Sequence, residues 1–335
     1  MTLELRIEQT TQNYKIVIGH SFLQKLGEYV KLPKKVMIVT DTNIPREYIY
    51  KVANLCQEHY IHPIIPGERS KTMVVYQRII EKMLSANFTR SDMVIAIGGG
   101  VVGDLAGFVA ATYKRGVRFI NIPTSMLAMV DSSIGGKVAV NVNNIKNCVG
   151  AFYQPELVMI DIDTLESLPS RHLYNGLVEA LKSGLIADKD LYNIFANASY
   201  LDKLDEVIIR SLQVKKSVVE ADPYEKGLRK ILNFGHTIGH AIETLNINEI
   251  YHGEAVAEGM LYFVNPTLKE ELTNIIHDMG INLEIKNSPQ ELMEIIKNDK
   301  KAKNDMITVV KVNEIGRAEL VDISFADLES IVKEV

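Results

Sequence analysis

Four short apolar runs in the first half of the chain constrain its fold more than any other feature. They cover residues 36–40, 93–97, 119–122 and 157–160, and they consist mainly of Val, Ile and Met. Short apolar runs of this kind are typical of strands that are buried on both faces of a sheet. Residues 45–58, between the first two runs, have helical character. Strands that alternate with helices predict a mostly parallel sheet with right-handed crossovers.

The pattern changes near residues 168–170, where the sequence is Leu-Pro-Ser. Almost every later segment has the i, i+3, i+4 spacing of apolar residues that indicates an amphipathic helix. The predicted helices cover 171–188, 189–197, 201–221, 229–246, 252–263, 267–279 and 289–298. A small hairpin of residues 306–312 and 318–321 is predicted to follow, and then a last helix that begins at Phe325.

The predicted fold class is therefore α/β. We expect a Rossmann-like parallel-sheet N-terminal domain over residues 1–168, followed by a mostly α-helical C-terminal domain over residues 169–335. Ligands of such sheets bind beyond the carboxyl ends of the strands. The cleft between the two domains is therefore the expected place for the functional site.

Composition excludes several classes of protein. Hydrophobic residues make up 47% and charged residues 24% of the chain, which excludes disorder, collagen and coiled coil as its main architecture. The net charge of -5 gives no broad basic field for nucleic acid or anionic lipid. Two cysteines are too few for a disulfide scaffold, and the start of the chain lacks the apolar core of a signal peptide. We therefore expect a soluble cytoplasmic enzyme that binds neither nucleic acid nor membrane.

A glycine-rich segment follows the second apolar run. Residues 98–104 read Gly-Gly-Gly-Val-Val-Gly-Asp, with G-x-G-x-x-G at 98, 100 and 103. After a strand and before a helix, this motif lets the backbone and a helix N-terminus approach a pyrophosphate, although a tight turn without a ligand is the alternative. The motif follows a later strand than usual and lacks an acidic residue about 20 positions on. Asp41, at the end of an earlier strand, would then contact the ribose, and we predict a dinucleotide in a variant geometry.

Three of the eight histidines fall within 17 residues, at His236, His240 and His252. The first two share a helix face at i, i+4 spacing. A zinc-protease motif would need Glu after the first histidine, and Thr237 excludes it. The cluster favours a metal site over packed or surface histidines, and catalytic sites commonly add a carboxylate. Glu179 is a candidate that the spacing alone does not select.

Cationic residues that lie beside glycine turns suggest an anionic ligand. Lys137 ends the polar turn 131–137, and Arg115 lies on a predicted loop. Lys215 and Arg229 precede the histidine helix, whereas Lys182 at i+3 from the candidate carboxylate could form a plain helix ion pair. Each of these alone is more readily a solvated side chain. Together they favour a small polyanionic substrate with phosphate or carboxylate groups.

A series of long motifs in order resembles the 3-dehydroquinate synthase family, within the sugar-phosphate cyclase superfamily. The motifs are residues 98–104, 113–120, 123–125, 130–137, 150–155, 233–240 and 252–255. The resemblance covers nearly the whole chain and is densest from about residue 90 to residue 260. It implies NAD⁺ and a divalent ion, Zn²⁺ or Co²⁺, as cofactors, and a homodimer. The chain departs from the family at Ser125, where Thr is usual, and after Met260, where it is shorter.

The resemblance also implies roles for individual residues. The metal ligands would be Glu179, His236 and His252. The NAD⁺ contacts would be Asp41, Asn43, Glu68, Lys71, Gly99, Gly100, Val101, Val102, Gly103, Asp104, Thr124, Ser125, Lys137, Lys146, Thr164, Leu165, Glu166 and Ser167. The substrate-holding and catalytic residues would be Asp131, Lys137, Asn147, Lys182, Lys215, Arg229, Asn233 and His240, with Arg115 reaching into the neighbouring subunit's site. Either Lys300 or Lys301 would also contribute.

The implied reaction converts 3-deoxy-D-arabino-heptulosonate 7-phosphate, a phosphorylated sugar acid, to 3-dehydroquinate and phosphate in the shikimate pathway. Transient oxidation of one hydroxyl by NAD⁺ allows phosphate elimination, and return of the hydride precedes an intramolecular aldol closure. His240 would either relay a proton or hold the phosphate. A cyclase that forms an inosose or a valiolone is the nearest alternative, but it would not need Arg229 for a substrate carboxylate. A polyol dehydrogenase would release NADH, and a non-catalytic relative would have lost the ligand set.

Overall fold

A seven-stranded sheet forms the framework of the first half of the chain. The computed structural model describes residues 2–5, 13–143, 145–247, 249–283, 287–299 and 305–334. The chain forms two compact units, Met1–Leu173 and Tyr174–Val335. The strands of the first unit are β1 (Thr2–Leu5), β2 (Tyr14–Gly19), β3 (Lys35–Asp41), β4 (Glu58–Ile64), β5 (Met93–Gly98), β6 (Arg118–Pro123), β7 (Lys137–Val142), β8 (Ile145–Phe152) and β9 (Leu157–Asp161). Its helices are α1 (Leu26–Tyr29), α2 (Arg46–Ala53), α3 (Met73–Ser85) and α4 (Gly100–Thr112).

Six strands of the sheet run parallel in the order β2, β9, β6, β5, β3, β4, and β1 pairs antiparallel with β2 at the edge. All four predicted strands are found, as β3, β5, β6 and β9. Met37 and Val39 belong to the apolar core that contains Leu105 of α4, whereas Val36 and Ile38 belong to the core that contains side chains of α2. Alternate residues of one strand thus face opposite layers of helices. The predicted Rossmann-like fold class is confirmed.

Several segments of the first unit differ from the predictions. The predicted helix 45–58 ends at Ala53, and residues from Glu58 onwards form β4. The strand β2 was not predicted. The antiparallel hairpin of β7 and β8 was not predicted either, and every residue of β8 is exposed or half-buried. β4 and β8 form through pairing with a neighbouring strand, so a solvated sequence pattern does not exclude them. In contrast, β2 is mostly buried and contains the apolar run of residues 16–18.

The second unit is mostly helical, as predicted. After α5 (Ser170–Ala187), which begins in the first unit, it contains α6 (Lys189–Ala196), α7 (Leu204–Ala221), α8 (His236–Leu245), α9 (His252–Met260), α10 (Pro266–Asp278), α11 (Pro289–Asp299), the hairpin of β10 (Met306–Glu314) and β11 (Arg317–Ser324), and α12 (Phe325–Glu334). The predicted hairpin and last helix are confirmed.

The predicted helix 229–246 is two helices. A 3₁₀ helix covers Leu228–Asn233, and α8 starts at His236 after a break at Gly235, which has φ +77°. A β-carbon at Gly235 would lie 2.7 Å from the Val256 backbone oxygen. The left-handed backbone and the close approach of α9 both require glycine here. Within the described ranges, no helix is long and apolar enough to span a membrane.

Candidate active site

Glu179, His236 and His252 come together in the second unit. They lie on α5, at the first residue of α8 and at the first residue of α9, respectively. One ligand atom from each lies within 4.8 Å of the others. The Nε2 atoms of both histidines are 3.7 Å from Oε1 of Glu179. Two atoms bound tetrahedrally at about 2.1 Å from a zinc ion lie about 3.4 Å apart, so this spacing suits ligands of one ion.

The two carboxylate oxygens of Glu179 differ in their hydrogen bonding. Its side chain is 2% exposed, and Oε2 accepts a hydrogen bond from the Lys182 ammonium. Oε1 is buried and has no hydrogen-bond partner among the described residues. A buried carboxylate oxygen without a partner is costly, because it loses hydration that nothing replaces. The unsatisfied oxygen, facing two imidazoles, fits a divalent cation.

Burial and neighbouring charges shift the pKa values of this cluster in opposite directions. Burial alone would raise the pKa of Glu179, but Lys182 and the two imidazoles hold it well below its usual range. Burial and the nearby Lys182 ammonium lower the pKa of His236 well below its usual range, so its imidazole is neutral. Burial lowers the pKa of His252, but contacts with Glu179 and Glu243 outweigh it and raise the pKa to about 9. Binding of a metal ion to Nε2 of His252 would therefore release a proton.

The Nδ1 atoms of both histidines face oxygen acceptors. Nδ1 of His236 lies 3.0 Å from the Phe234 carbonyl oxygen, and Nδ1 of His252 lies 3.0 Å from Oε2 of Glu243. Since these oxygens only accept, both Nδ1 atoms carry the hydrogen. The Nε2 lone pair of the neutral His236 is available for a metal ion, and that of His252 becomes available when its second proton is released. The exposed His240 ring lies 5.1 Å from the His236 ring. Sequence reasoning missed Glu243, because its role depends on a contact between two helices.

The other predicted substrate residues of the second unit are mostly buried. Lys215 lies in α7 and is 6% exposed. Arg229, which is 3% exposed, donates a hydrogen bond from Nη1 to the Pro223 carbonyl at 2.7 Å. Asn233 donates from Nδ2 to Oε1 of Glu225 at 2.8 Å. The predicted choice between Lys300 and Lys301 lies outside the described residues.

The predicted NAD⁺ contacts of the first unit follow the carboxyl ends of parallel strands. Asp41 ends β3, and its Oδ1 accepts a hydrogen bond from the backbone N–H of Asn43 at 2.9 Å. Thr124 and Ser125 follow β6, and residues 164–167 lie in the 3₁₀ helix that follows β9. Because the carboxyl ends of parallel strands meet at one edge of a sheet, these residues share that edge.

The glycine loop lies at the same edge. Gly99 is the N-cap of α4, and a β-carbon there would lie 3.3 Å from Ser125 Oγ. A β-carbon at Gly100 would lie 2.9 Å from Oγ of Ser132. Gly103 is inside α4 and faces the Asn121 side chain of β6. The first two glycines thus keep the helix N-terminus open, and the third allows close packing of helix and strand.

A polar network connects several of these residues. Lys71, which is 4% exposed, pairs with Asp104 at 2.5 Å and donates a hydrogen bond to the Asn147 side chain. Nδ2 of Asn141 donates a hydrogen bond to Oε1 of Glu68 at 2.8 Å, and Oδ1 of Asn141 accepts one from the backbone N–H of Asn147 at 2.8 Å. Predicted cofactor contacts and a predicted substrate contact therefore share one network. Sequence reasoning gave Asn141 no role.

The remaining predicted residues of the first unit lie on turns and on the hairpin. Asp131 is half-buried in the π-helical turn Ala128–Ser132. Lys137 begins β7 and Lys146 lies on β8, and both side chains are exposed. Arg115 ends the 3₁₀ turn Tyr113–Arg115 with φ +67°. Their contacts with cofactor or substrate stay predictions.

Comparison with known proteins decides the family. A family model described as 3-dehydroquinate synthase N-terminal matches residues 61–175, and one described as 3-dehydroquinate synthase C-terminal matches residues 176–302. The chain belongs to the 3-dehydroquinate synthase family. A 3-dehydroquinate synthase of Thermoanaerobacter pseudethanolicus is 40% identical, over 98% of this chain and 99% of that protein. One of Streptococcus thermophilus is 39% identical over the full length of both chains. The predicted family is confirmed.

The alignments also bear on the predicted shortening of the chain. They extend over 353 and 358 positions, more than the 335 residues present here, so the relatives contain segments that this 3-dehydroquinate synthase family member lacks. The alignment lengths do not locate these gaps, so the shortening of the chain after Met260 stays a prediction.

Solved structures share the fold at lower identity. A 2-deoxy-scyllo-inosose synthase complexed with carbaglucose-6-phosphate, NAD⁺ and Co²⁺ has a TM-score of 0.88 and 24% identity, covering 100% of this chain and 99% of its own. A 2-epi-5-epi-valiolone synthase from Streptomyces hygroscopicus with NAD⁺ and Zn²⁺ bound has a TM-score of 0.87 and 24% identity, covering 97% of each chain. A probable glycerol dehydrogenase from Sinorhizobium meliloti has a TM-score of 0.63 and 16% identity, covering 95% of each chain. These likenesses show the fold alone.

Proposed function

We propose that this protein is a 3-dehydroquinate synthase that converts 3-deoxy-D-arabino-heptulosonate 7-phosphate to 3-dehydroquinate and phosphate. The observation that carries the proposal is the 39–40% identity, over nearly the full length, with relatives of that name. The fold does not discriminate among cyclases, because an inosose synthase and a valiolone synthase share it. The 3-dehydroquinate synthase family models, which together match residues 61–302, favour the dehydroquinate reaction.

Glu179, His236 and His252 are proposed to bind one divalent ion. The unsatisfied Oε1 of Glu179 and the two Nε2 atoms at 3.7 Å support this, and such nitrogen and oxygen donors suit Zn²⁺ or Co²⁺. The ion, when bound, supplies a Lewis acid that lowers the pKa of substrate hydroxyl groups. Lys182 neutralises Oε2 and leaves Oε1 for the ion.

NAD⁺ is the second proposed cofactor, at the carboxyl edge of the sheet. When bound, it would supply a reversible hydride acceptor for the transient oxidation of a substrate hydroxyl group. Gly99 and Gly100 keep side chains away from the N-terminus of α4, whose free N–H groups attract a pyrophosphate. The buried Lys71 and the half-buried Asp104 add a charged pair near this edge. NAD⁺ in an inosose synthase and a valiolone synthase of the same fold agrees with this proposal.

Buried cations support a phosphorylated sugar acid as the substrate. Lys182, Lys215 and Arg229 are each at most 6% exposed. A planar guanidinium matches a carboxylate, and ammonium groups match phosphate and hydroxyl oxygens. We assign Arg229 to the substrate carboxylate and the lysines to oxygen atoms of the substrate, in addition to the contacts that Lys182 and Arg229 make with the protein. A proton relay by His240, a homodimer with Arg115 at the partner's site, and a cytoplasmic location stay predictions.

Phosphate release from the heptulosonate phosphate tests the proposal. Release should require both NAD⁺ and a divalent ion, stop on chelation and resume when Zn²⁺ is added. NADH should not accumulate, because the hydride is returned in each turnover. Glucose 6-phosphate, a phosphosugar without a carboxylate, is the control and should release little phosphate. Accumulation of NADH in proportion to product would indicate a polyol dehydrogenase, and equal turnover of glucose 6-phosphate would indicate a different cyclase.

A further inference from the structure

The contact between Glu243 and His252 is a feature of the second unit that the proposed ligand set does not use. Oε2 of Glu243 lies 3.0 Å from Nδ1 of His252. The side chains are 21% and 27% exposed, so neither group is a freely solvated surface residue. Glu243 lies in the last turn of α8 and His252 begins α9. The contact thus joins the two helices that carry both histidine ligands.

The two nitrogens of His252 face two different carboxylates. Nε2 lies 3.7 Å from Glu179 Oε1, which is beyond a hydrogen bond and suits two ligands of one ion. Nδ1 lies 3.0 Å from Glu243, which is a hydrogen-bond distance. Because an ionised carboxylate only accepts, Nδ1 must carry the hydrogen. Glu243 thereby keeps the proton on Nδ1 and leaves Nε2 as the atom that binds a metal ion.

Nδ1 of His236 also faces a hydrogen-bond acceptor, but this acceptor is a backbone carbonyl oxygen. Its Nδ1 lies 3.0 Å from the Phe234 carbonyl oxygen, an acceptor that mutation of a side chain does not remove. His252 differs because its acceptor is a side chain. In both rings the hydrogen bond at one nitrogen fixes the tautomer and the ring orientation at the other.

His240, Glu243 and His252 form a second group whose ligand atoms lie within 4.8 Å of one another. This group could be read as a second ion site. It shares His252 with the first group and includes the exposed His240. The hydrogen bond between Nδ1 of His252 and Oε2 of Glu243 already explains why these two side chains are close, so a positioning role accounts for the arrangement without a second ion.

We propose that Glu243 is a positioning residue of the metal centre, which orients the His252 imidazole so that Nε2 faces Glu179. This inference rests on the proposed function, because it assumes that Glu179, His236 and His252 bind the ion. Hydrogen-bonded partners of this kind typically change metal affinity by about 10–100-fold when they are removed. Glu243 would therefore tune affinity without touching the ion.

Metal affinity of the purified full-length protein tests this role. Zn²⁺ binding to the parent, Glu243→Ala and Glu243→Gln is measured by competition with a chelating dye, in the absence of substrate and NAD⁺. We expect Glu243→Ala to bind about 100-fold more weakly and Glu243→Gln about tenfold more weakly, since the amide oxygen still accepts a hydrogen bond but lacks the charge. The visible absorption of bound Co²⁺ should also change in Glu243→Ala.

Glu254→Gln is the matched control. Glu254 lies on the same helix as His252, accepts a hydrogen bond from the Tyr251 backbone N–H and so caps α9. Glutamine can make the same cap, so Zn²⁺ affinity should stay within about twofold of the parent value. An equal loss in Glu254→Gln would assign the effect to helix α9 and overturn the proposal.

Several further outcomes separate this inference from the proposed function. A parent protein that binds no Zn²⁺ would contradict the proposed metal centre itself. A parent that binds Zn²⁺, with Glu243→Ala binding equally tightly, would contradict only the role of Glu243. Two ions per chain in the parent and one in Glu243→Ala would make Glu243 a ligand instead. If Glu243→Ala does not fold, unchanged affinity in Glu243→Gln overturns the proposal and a tenfold loss supports it.

Discussion

Glu258 is a half-buried carboxyl group on α9 that no proposed ligand or substrate contact uses. Its Oε2 atom is buried and has no hydrogen-bond partner among the described residues. Burial raises the pKa of Glu258 to about 7, and the Lys269 ammonium offsets only part of this. The folded chain therefore binds this proton more tightly than the unfolded chain, whose pKa is 4.5. Protonated Glu258 therefore contributes to the free energy of unfolding. This contribution is fully present below pH 4.5 and is lost as the pH rises through about 7.

Replacement of Glu258 by glutamine should therefore stabilise the protein only at higher pH. The neutral amide avoids ionisation in a buried place, so the gain in free energy of unfolding should be about 1–3 kcal/mol larger at pH 8.5 than at pH 5. Urea unfolding with a chelator present, which removes metal binding as a variable, measures both values. The exposed Glu314→Gln is the control and should have the same small effect at both pH values. Equal effects of Glu258→Gln at both pH values would contradict the assigned ionisation.

At the scale of single residues, sequence predicts the chemistry of a side chain better than its contacts. The cluster of His236, His240 and His252 favoured a metal site, and the resemblance selected His236 and His252, together with Glu179, as its ligands. Glu243 and Asn141 have no local pattern that distinguishes them from ordinary polar residues. Their roles depend on hydrogen bonds to other elements, which exist only after the chain has folded.

At the scale of elements, glycines decide how closely α8 and α9 approach. A β-carbon at Gly239 would lie 3.0 Å from the Ala255 backbone oxygen, and one at Gly259 would lie 2.0 Å from the Gly235 backbone oxygen. No side chain fits at that second position without separation of the backbones. Because α8 begins with His236 and α9 with His252, the same close contact sets the distance between two proposed ligands.

Replacement of Gly259 by alanine should therefore weaken both folding and metal binding. Overpacking at a backbone contact destabilises by about 1–3 kcal/mol, and displaced ligands should bind Zn²⁺ at least about tenfold more weakly. Thermal unfolding of the metal-free protein and dye competition measure the two effects. Gly27→Ala in α1 is the control, since no atom lies within 4 Å of its β-carbon position and alanine favours a helix. Unchanged Zn²⁺ affinity in a folded Gly259→Ala protein would show that the helix spacing does not control the site.

Strands were predicted where burial made their sequence continuous and apolar. The residues of β5 and β9 are buried throughout, and both were predicted almost to their ends. In β4, with the sequence Glu-His-Tyr-Ile-His-Pro-Ile, most residues are only half-buried, because this strand lies at an edge of the sheet. The exposed residues of β8 pair with β7 in a local hairpin. Neither pattern distinguishes a strand from a polar loop before its partner is known.

At the scale of the whole chain, the two proposed cofactors depend on different units. The proposed NAD⁺ contacts, from Asp41 to Ser167, all belong to Met1–Leu173, whereas the three proposed metal ligands belong to Tyr174–Val335. The boundary falls within α5, slightly beyond the predicted change of pattern near residue 168. Composition along the chain marks the change from alternating strands to helices, whereas the first compact unit ends at Leu173, inside α5.

This division leads to separate footprints for the two ligands in hydrogen exchange. A ligand that binds only the folded form stabilises it by about 2.7 kcal/mol at 100 times its Kd, which slows exchange through local openings that disrupt its binding site about 100-fold. Zn²⁺ should protect peptides that cover residues 175–184 and 234–260, because these contain its proposed ligands. NAD⁺ should protect residues 98–104 and 162–167 at the edge of the sheet. Mass spectrometry of the full chain with each ligand alone measures both, and the Glu179→Gln protein, which loses a proposed ligand charge, is the control for Zn²⁺. Protection of the glycine loop by Zn²⁺ alone, or of α8 by NAD⁺ alone, would contradict the assignment of each cofactor to one unit.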